Sequence, residues 1–330
     1  MPYPQNVLDA AAQYQAALER QDAAALARLA RAYHDAYKRI EGKLNALLLE
    51  TAGRDLTMGE VTRLGQYRSM LSQIGVELRD MEALTRDITR QLADLGIDTG
   101  RRNAGNYISI LASGETKISA DFMRLPSGAI KTMLGFLADD SPLYKGIAGI
   151  SEHAPDIASA LVQGIAQGRS PNEISRLLNR TWGMELTSSM KTARTAMLWA
   201  HREASRATYA ANADVVKGWI WYAELDGDTC LSCVSMHGTE HPIDEPLDDH
   251  WNGRCVALPL TVFGNPVEKS GETWFREQSE QRQREMMGGR RHAAWQDGKF
   301  EFGALSRQVD DTVFGHMRTE TPLKDLVQDE

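Results

Sequence analysis

The residues best suited to chemistry are three cysteines and a histidine that share one short stretch of the chain. Cys230, Cys233 and Cys255 are the only cysteines, and His250 lies five positions before the last of them. The C-x2-C pair can present two thiolates to one metal ion, and the other two residues can add an imidazole and a third thiolate. Such a set with no spare position is typical of a closed, structural zinc site. These are the predicted zinc ligands, and we expect the metal rather than a core to hold the long loop between them, Val234 to Asp249.

The same stretch admits other interpretations. His237 and His241 are rival histidine ligands. Without a metal, the cysteines would be reduced, half-buried thiols, and a redox or catalytic thiol is a third interpretation. An odd number of cysteines cannot all pair within one chain, and the N-terminal residues lack the features of a signal peptide. These observations favour a cytosol-like compartment, in which disulfides are disfavoured.

A catalytic function has one motif in its favour. Asp249-His250 beside the cysteine pair resembles the metal-dependent HNH nucleases, in which a histidine activates water. The alternative function is therefore a zinc-dependent nuclease or toxin module that uses this dipeptide and the Cys230/Cys233 region. The further histidine and asparagine that a catalytic metal needs are not evident at a usable spacing, and the neighbouring acidic residues would repel a phosphate backbone. We expect no enzymatic activity.

Composition and charge exclude some partners. The chain has 330 residues, a formal net charge of -8 and 42% hydrophobic residues, which is an ordinary composition for a globular protein with an acidic balance. That balance argues against a protein whose whole surface binds nucleic acid, although Arg101-Arg102 and Arg290-Arg291 motivate a local DNA-binding hypothesis. No apolar run approaches the roughly 18 residues that a membrane helix needs, so we expect no membrane partner.

Two long helices are predicted at the N-terminus. Apolar residues recur at steps of three and four along residues 26–47 and again along residues 64–92, which places each set on one stripe of a helix. This pattern favours an antiparallel helical hairpin over residues 1–115. Leu95-Gly96 and Thr99-Gly100 are predicted to end the second helix.

Three further segments follow the predicted hairpin. Residues 116–149 are predicted as a connector with short helices, residues 150–270 as an α+β core around the Cys/His block, and residues 271–330 as a helix and an extended arm. The predicted fold class is therefore mainly α with a small β region.

Local signals subdivide the core. Ser170 and Glu173 can form a capping box that begins a helix, and Gly183 is predicted to separate that helix from a longer one over residues 187–212. The apolar and aromatic segments 217–222 and 255–260 are predicted strands, and Pro259 confines the second to a sheet edge or a strand end.

A series of short segments follows in a fixed order along the C-terminal half. They are Ala193-Arg194-Thr195 and Arg202-Glu203 on the long helix, Lys217–Trp221 on the strand, Asp226–Cys230 with Cys233 and Gly238, His250–Cys255 with Pro259, and the glutamine-rich tail from Trp274 to Phe302. Their order resembles the Mu F-like family of phage minor head, or head morphogenesis, proteins. The resemblance extends roughly over residues 150–305 and departs from the family at Ala196, often a glutamate, and at Gly253, where the closing segment has a cysteine.

The resemblance implies a virion component rather than an enzyme. It implies a low-copy minor capsid protein in the virion head, inside the capsid near the portal, and in the host cytoplasm during assembly. The implied partners are the phage portal protein and the major capsid or scaffold protein. Proximity to packaged DNA without specific binding, and a function in DNA retention or ejection, are further expectations. The missing cysteine weakens a zinc site carried over from the family but leaves His250 and Cys255 in place.

Overall fold

The computed structural model describes residues 5–112, 127–138 and 140–327. Helices predominate, and two small antiparallel sheets lie in the C-terminal part, which confirms the predicted mainly α fold class. Among the described residues, no helix is long and apolar enough to cross a membrane. In chain order the helices are α1 (Gln5–Thr51), α2 (Met58–Val61), α3 (Gly65–Leu111), α4 (Ser127–Phe136), α5 (Pro142–Ala148), α6 (Ala154–Ala166), α7 (Pro171–Ala210), α8 (Leu231–Met236), α9 (Gly271–Glu277), α10 (Glu280–Met287), α11 (Gly289–Gln296) and α12 (Leu323–Leu326).

Helices α1 and α3 form the predicted antiparallel hairpin. The apolar stripes are buried, as Ile40 and Leu44 on α1 and Leu78 on α3 show with no exposed surface. The Arg39 guanidinium donates to both carboxylate oxygens of Glu77, at 2.5 and 2.6 Å, and ties the two helices together. Burial of two long stripes is the main stabilising term, because helices of this kind gain most of their stability from tertiary packing.

The predicted end of the second helix is wrong. Helix α3 continues through Gly96 and Gly100 to Leu111. A Cβ atom at Gly96 would overlap the carbonyl oxygen of Met197, and one at Gly100 would overlap that of His201. The glycines therefore let α3 approach the backbone of α7, and this packing outweighs their weak helix propensity. Residues 113–126, where the connector was expected to begin, lie outside the described residues.

Helix α7 is also longer than predicted. The capping box at its start is confirmed, since the Ser170 backbone N–H donates to Glu173 at 2.9 Å and the Glu173 N–H donates back to the Ser170 hydroxyl. The helix then passes Gly183 without a break. Trp182 is buried beside this glycine, and its indole N–H donates to the Tyr33 carbonyl at 2.8 Å, so tertiary contacts hold the helix where local propensity is weak.

The larger sheet has the strand order β2-β1-β3 and is antiparallel. Its strands are β1 (Val216–Tyr222), β2 (Glu240–His241) and β3 (Val256–Thr261), which confirms both predicted strands. Pro259 lies on the edge strand β3, where it is opposite Trp219 of β1. An edge strand tolerates proline because one of its sides needs no N–H donors for a neighbouring strand. Trp219 and Trp221 are fully buried and form the centre of the core beside the cysteines.

The segment predicted as an extended arm has a secondary structure of its own. After α9, α10 and α11, a hairpin of β4 (Ser306–Asp311) and β5 (Gly315–Glu320) is followed by α12. The Arg318 guanidinium donates to Asp248 at 3.0 Å, and Glu320 accepts from the Leu231 N–H at 3.1 Å. These long-range contacts fix a polar, half-exposed hairpin whose sequence lacks a clear alternating pattern.

The chain divides into two compact units that are discontinuous in sequence. One comprises residues 1–19, 93–135 and 195–330 and contains the sheets and the Cys/His block. The other comprises residues 20–92 and 136–194, with a helical core that includes Tyr33, Leu178 and Trp182. The domain boundaries predicted above are continuous segments and stay a prediction.

Candidate metal centre

The first two predicted ligands lie at the start of α8. Cys230 is its N-cap residue, with an extended backbone, and its sulfur accepts from the Cys233 N–H at 3.4 Å. Cys233 lies one turn into the helix and is buried, whereas Cys230 is half-buried. The C-x2-C spacing thus places both thiols on one side of a helix start.

The loop that precedes β3 brings His250 to these thiols. Its Nε2 atom lies 3.2 Å from the Cys230 sulfur and 3.3 Å from the Cys233 sulfur. The Nδ1 atom lies 2.8 Å from the Trp251 carbonyl oxygen, which can only accept, so Nδ1 carries a proton. This hydrogen bond orients the ring with Nε2 toward the two sulfurs, and Nε2 is the nitrogen that a metal would take, as in metal-binding histidines oriented by a second hydrogen bond.

Cys255 joins the cluster through Cys233. The possible ligand atoms form two groups, and within each group all atoms lie within 4.8 Å of one another. One group is Cys230, Cys233 and His250, and the other is Cys233, Asp249 and Cys255, so Cys233 belongs to both. Three of the four predicted ligands thus converge directly, and the fourth is adjacent. Asp249 is a carboxylate neighbour that was not predicted as a ligand, and its position next to His250 was the only sequence signal for it.

The donor set fits zinc. Zinc–sulfur and zinc–nitrogen bonds of about 2.3 and 2.0 Å at a tetrahedral angle separate the two ligand atoms by about 3.5 Å. The observed sulfur–nitrogen distances of 3.2 and 3.3 Å are close to that value. Cys230, Cys233 and His250 could therefore hold one zinc ion, with Cys255 or Asp249 as the fourth ligand. A small cavity of about 60 Å³ is lined by Cys230, Cys233, His250 and Cys255 together with Asn252 and Arg254.

The electrostatics of the cluster favour charge separation. A hydrogen bond from Cys233 and the nearby His250 lower the pKa of Cys230 to about 5. Burial lowers the pKa of His250, but the Cys230 sulfur and the Asp249 charge outweigh it and raise that pKa to about 9. Cys233 has its pKa raised well above the usual range by the neighbouring Cys230 and Cys255 sulfurs and by burial. Without a metal the cluster therefore holds a thiolate beside an imidazolium.

The rival histidines are engaged elsewhere. The His237 Nδ1 atom accepts from the Ala223 N–H at 3.1 Å, and burial lowers its pKa to about 4. His241 stacks on Trp219 with ring centroids 4.2 Å apart and lies 3.1 Å from Glu245. Among the described residues, neither belongs to a group that could hold a metal with the thiols.

Fold and site together define a protein of long helices with a small antiparallel sheet, beside which a thiol–imidazole cluster lies between the start of α8 and the loop before β3. Residues 155–258 match the family model described as Phage Mu protein F like protein. This segment is a Mu F-like domain, and its presence supports a phage head morphogenesis-type protein. No curated protein and no solved structure shows significant similarity to the chain.

The matched segment runs from α6 into β3 and includes all four predicted ligands. It is shorter than the resemblance over residues 150–305. The glutamine-rich tail lies beyond its end, as does the C-terminal hairpin.

Proposed function

We propose that this protein is a low-copy minor capsid protein that associates with the portal and acts in head assembly. The observation that carries the proposal is the Mu F-like match over residues 155–258. The portal protein and the major capsid or scaffold protein are the proposed partners, and the proposed location is the capsid interior near the portal. A function in retaining or ejecting packaged DNA belongs to the same proposal.

The cluster is proposed to be a structural zinc site. The two sulfur–nitrogen distances and the hydrogen bond that orients His250 through Nδ1 support this proposal. The four predicted ligands are also thiolates and an imidazole, which are the donors of closed structural zinc sites. A bound zinc would fasten the loop before β3 to the N-terminus of α8, and its binding free energy would stabilise the folded state.

We propose that the protein is not an enzyme. A nuclease of the HNH type needs its histidine free to activate water, but His250 has one ring nitrogen on the Trp251 carbonyl and the other between two sulfurs. Asp249 has no exposed side-chain surface, and both of its oxygens accept hydrogen bonds from the protein. This arrangement supports a structural cluster better than a catalytic one.

A phage carrying a nonsense mutation in this gene tests the head function. We expect few infectious particles and heads that are misassembled or empty in electron micrographs, with plating restored when the protein is supplied from a plasmid. Normal yields of DNA-filled, infectious heads would contradict the proposal. Incubation of the purified protein with DNA and RNA and with added divalent metals tests the enzymatic alternative, and we expect both nucleic acids to stay intact.

A further inference from the structure

The Asp249 carboxylate makes several hydrogen bonds beside the cluster. It is fully buried, with no exposed side-chain surface. Its Oδ1 atom accepts from the His250 N–H at 2.9 Å, and its Oδ2 atom accepts from the Cys255 N–H at 3.1 Å. The Cys233 sulfur also lies 3.4 Å from Oδ1. One side chain therefore holds the backbone of both ligands that the loop supplies, and it touches a third ligand at its thiol.

Arg202 on α7 holds this carboxylate from the other side. Its side chain is 8% exposed, and the guanidinium donates from Nη2 to Asp249 Oδ2 at 2.7 Å. The same guanidinium donates to the Gly253 carbonyl at 2.5 Å and to the Cys255 carbonyl at 3.1 Å. Since a buried carboxylate needs a charged partner and several hydrogen bonds, Arg202 supplies both an opposite charge and one of those hydrogen bonds inside the core.

Gly253 completes the arrangement. A Cβ atom at this position would overlap the Asp249 carboxylate. A larger side chain, including the cysteine that the resemblance places here, is therefore incompatible with the present position of Asp249. The glycine at this position therefore makes room for the buried Asp249 carboxylate.

We propose that Asp249, held by Arg202, is the positioning residue that folds the loop of residues 249–255 before any metal binds. The loop ligands are then brought to the α8 thiols by hydrogen bonds and an ion pair. The expectation from sequence assigned the metal to the preceding loop, residues 234–249, whereas residues 249–255 are held here by contacts within the protein. The consequence for zinc rests on the proposed site, whereas the ordering of the loop is a property of the metal-free protein.

Hydrogen exchange read by peptide mass spectrometry tests this proposal on the full-length chain. Exchange over residues 249–258 is compared in the wild type, with and without a chelator, and in the chelated variants Asp249→Asn and Arg202→Gln. We expect the wild-type loop to stay protected after chelation and the two variants to exchange at least about tenfold faster there. Gly253→Ala is expected to behave like them, because its Cβ displaces the same carboxylate. Protection of the α1 and α3 peptides in each sample shows that the chain is folded.

Arg206→Gln is the matched control. Arg206 lies one turn further along α7 and pairs with Glu203 rather than with the loop, so its replacement is expected to leave the exchange of residues 249–258 unchanged. Loss of loop protection in the chelated wild type, or unchanged protection in Asp249→Asn and Arg202→Gln, would overturn the proposal. Zinc content is measured separately, so failure of the zinc site and failure of the positioning residue give different results.

Discussion

At the scale of single residues, the cluster depends most on Cys233. This thiol is the member shared by both groups of ligand atoms, and it is buried. Cys230 and His250 belong to one of these groups, and Cys255 belongs to the other. A substitution at Cys233 therefore removes a ligand whichever of Cys255 and Asp249 completes the set, whereas a substitution at Cys255 distinguishes between those two.

The first prediction concerns metal content. The wild type purified without chelator is expected to contain about one zinc per chain, and Cys233→Ser less than about 0.2, because three ligands at most remain and zinc prefers four. Cys255→Ser loses zinc only if Cys255 is the fourth ligand. His241→Gln is the control and is expected to retain the metal. Elemental analysis by mass spectrometry measures each, and a wild-type value below about 0.2 contradicts the site.

A second prediction concerns His201, a buried residue of α7. Burial lowers its pKa from 6.5 to about 3, and its Nε2 atom accepts from the Asn103 amide at 3.1 Å. The unfolded chain takes up a proton near pH 6.5 but the folded chain only near pH 3, so the folded state loses stability as the pH falls between those values. The expected loss is up to about 1.4 kcal/mol per pH unit.

Urea unfolding of the chelated protein at several pH values between 7.5 and 5 measures this loss. The part due to His201 is expected to vanish in His201→Gln and to persist when the exposed His34 is changed to glutamine. Equal pH dependence in the wild type and in His201→Gln would show that the imidazole is not buried in its neutral form.

At the scale of elements, glycines decide how closely the long helices pack. Gly100 lies where α3 meets the backbone of α7, while Gly42 lies on the exposed face of α1, where an added Cβ atom would meet no other atom within 4 Å. The two glycines have the same intrinsic cost in a helix. They differ only in what surrounds them, so they form a matched pair.

The third prediction uses that pair. Gly100→Ala is expected to lower the free energy of unfolding by about 1–3 kcal/mol, because the new methyl group overlaps the His201 carbonyl and pushes the helices apart. Gly42→Ala is expected to raise it by roughly 0.5–1 kcal/mol through better helix propensity. Chemical denaturation gives both values, and an increase in stability for Gly100→Ala would contradict the close approach of α3 and α7.

At the scale of the whole molecule, charge limits the partners. The chain carries a net charge of -8, and the arginine pairs that suggested a DNA-binding surface are neutralised in part. Arg101 and Arg102 both pair with Asp98, and Arg291 pairs with Glu320. Phosphate binding depends on arginine and lysine side chains that displace counterions from the nucleic acid. Arginines that already pair with carboxylates are poorly suited to this, so we expect these clusters to bind DNA weakly.

The fourth prediction follows from this balance. The purified protein is expected to show no binding to a duplex of random sequence at about 150 mM salt in fluorescence anisotropy, with a Kd above roughly 10 µM. Asp98→Asn removes the shared carboxylate and is the comparison variant, for which a modest gain at low salt is expected. Tight binding by the wild type that weakens steeply with salt would favour the DNA-binding hypothesis. It would contradict the expectation that the protein lies near packaged DNA without binding it.

The sequence alone determined the features that depend on nearest neighbours along the chain. The stripes of α1 and α3, the capping box at Ser170 and the aromatic strand β1 follow from periodicity and local hydrogen bonding, and all three were predicted. The C-x2-C spacing likewise placed Cys230 and Cys233 together, because both thiols lie within one turn at the start of α8.

Only the tertiary structure decided what depends on residues far apart in sequence. Helix α3 continues through Gly96 and Gly100 because α7 approaches them, and the C-terminal segment forms a hairpin because Asp248 and Leu231 bind it. His250 rather than His237 or His241 faces the thiols, and Asp249 is buried beside them, because Arg202 reaches the loop from a helix about fifty residues away. Such contacts leave no periodic signal in the chain, since a buried ion pair is specified by the packing around it rather than by spacing.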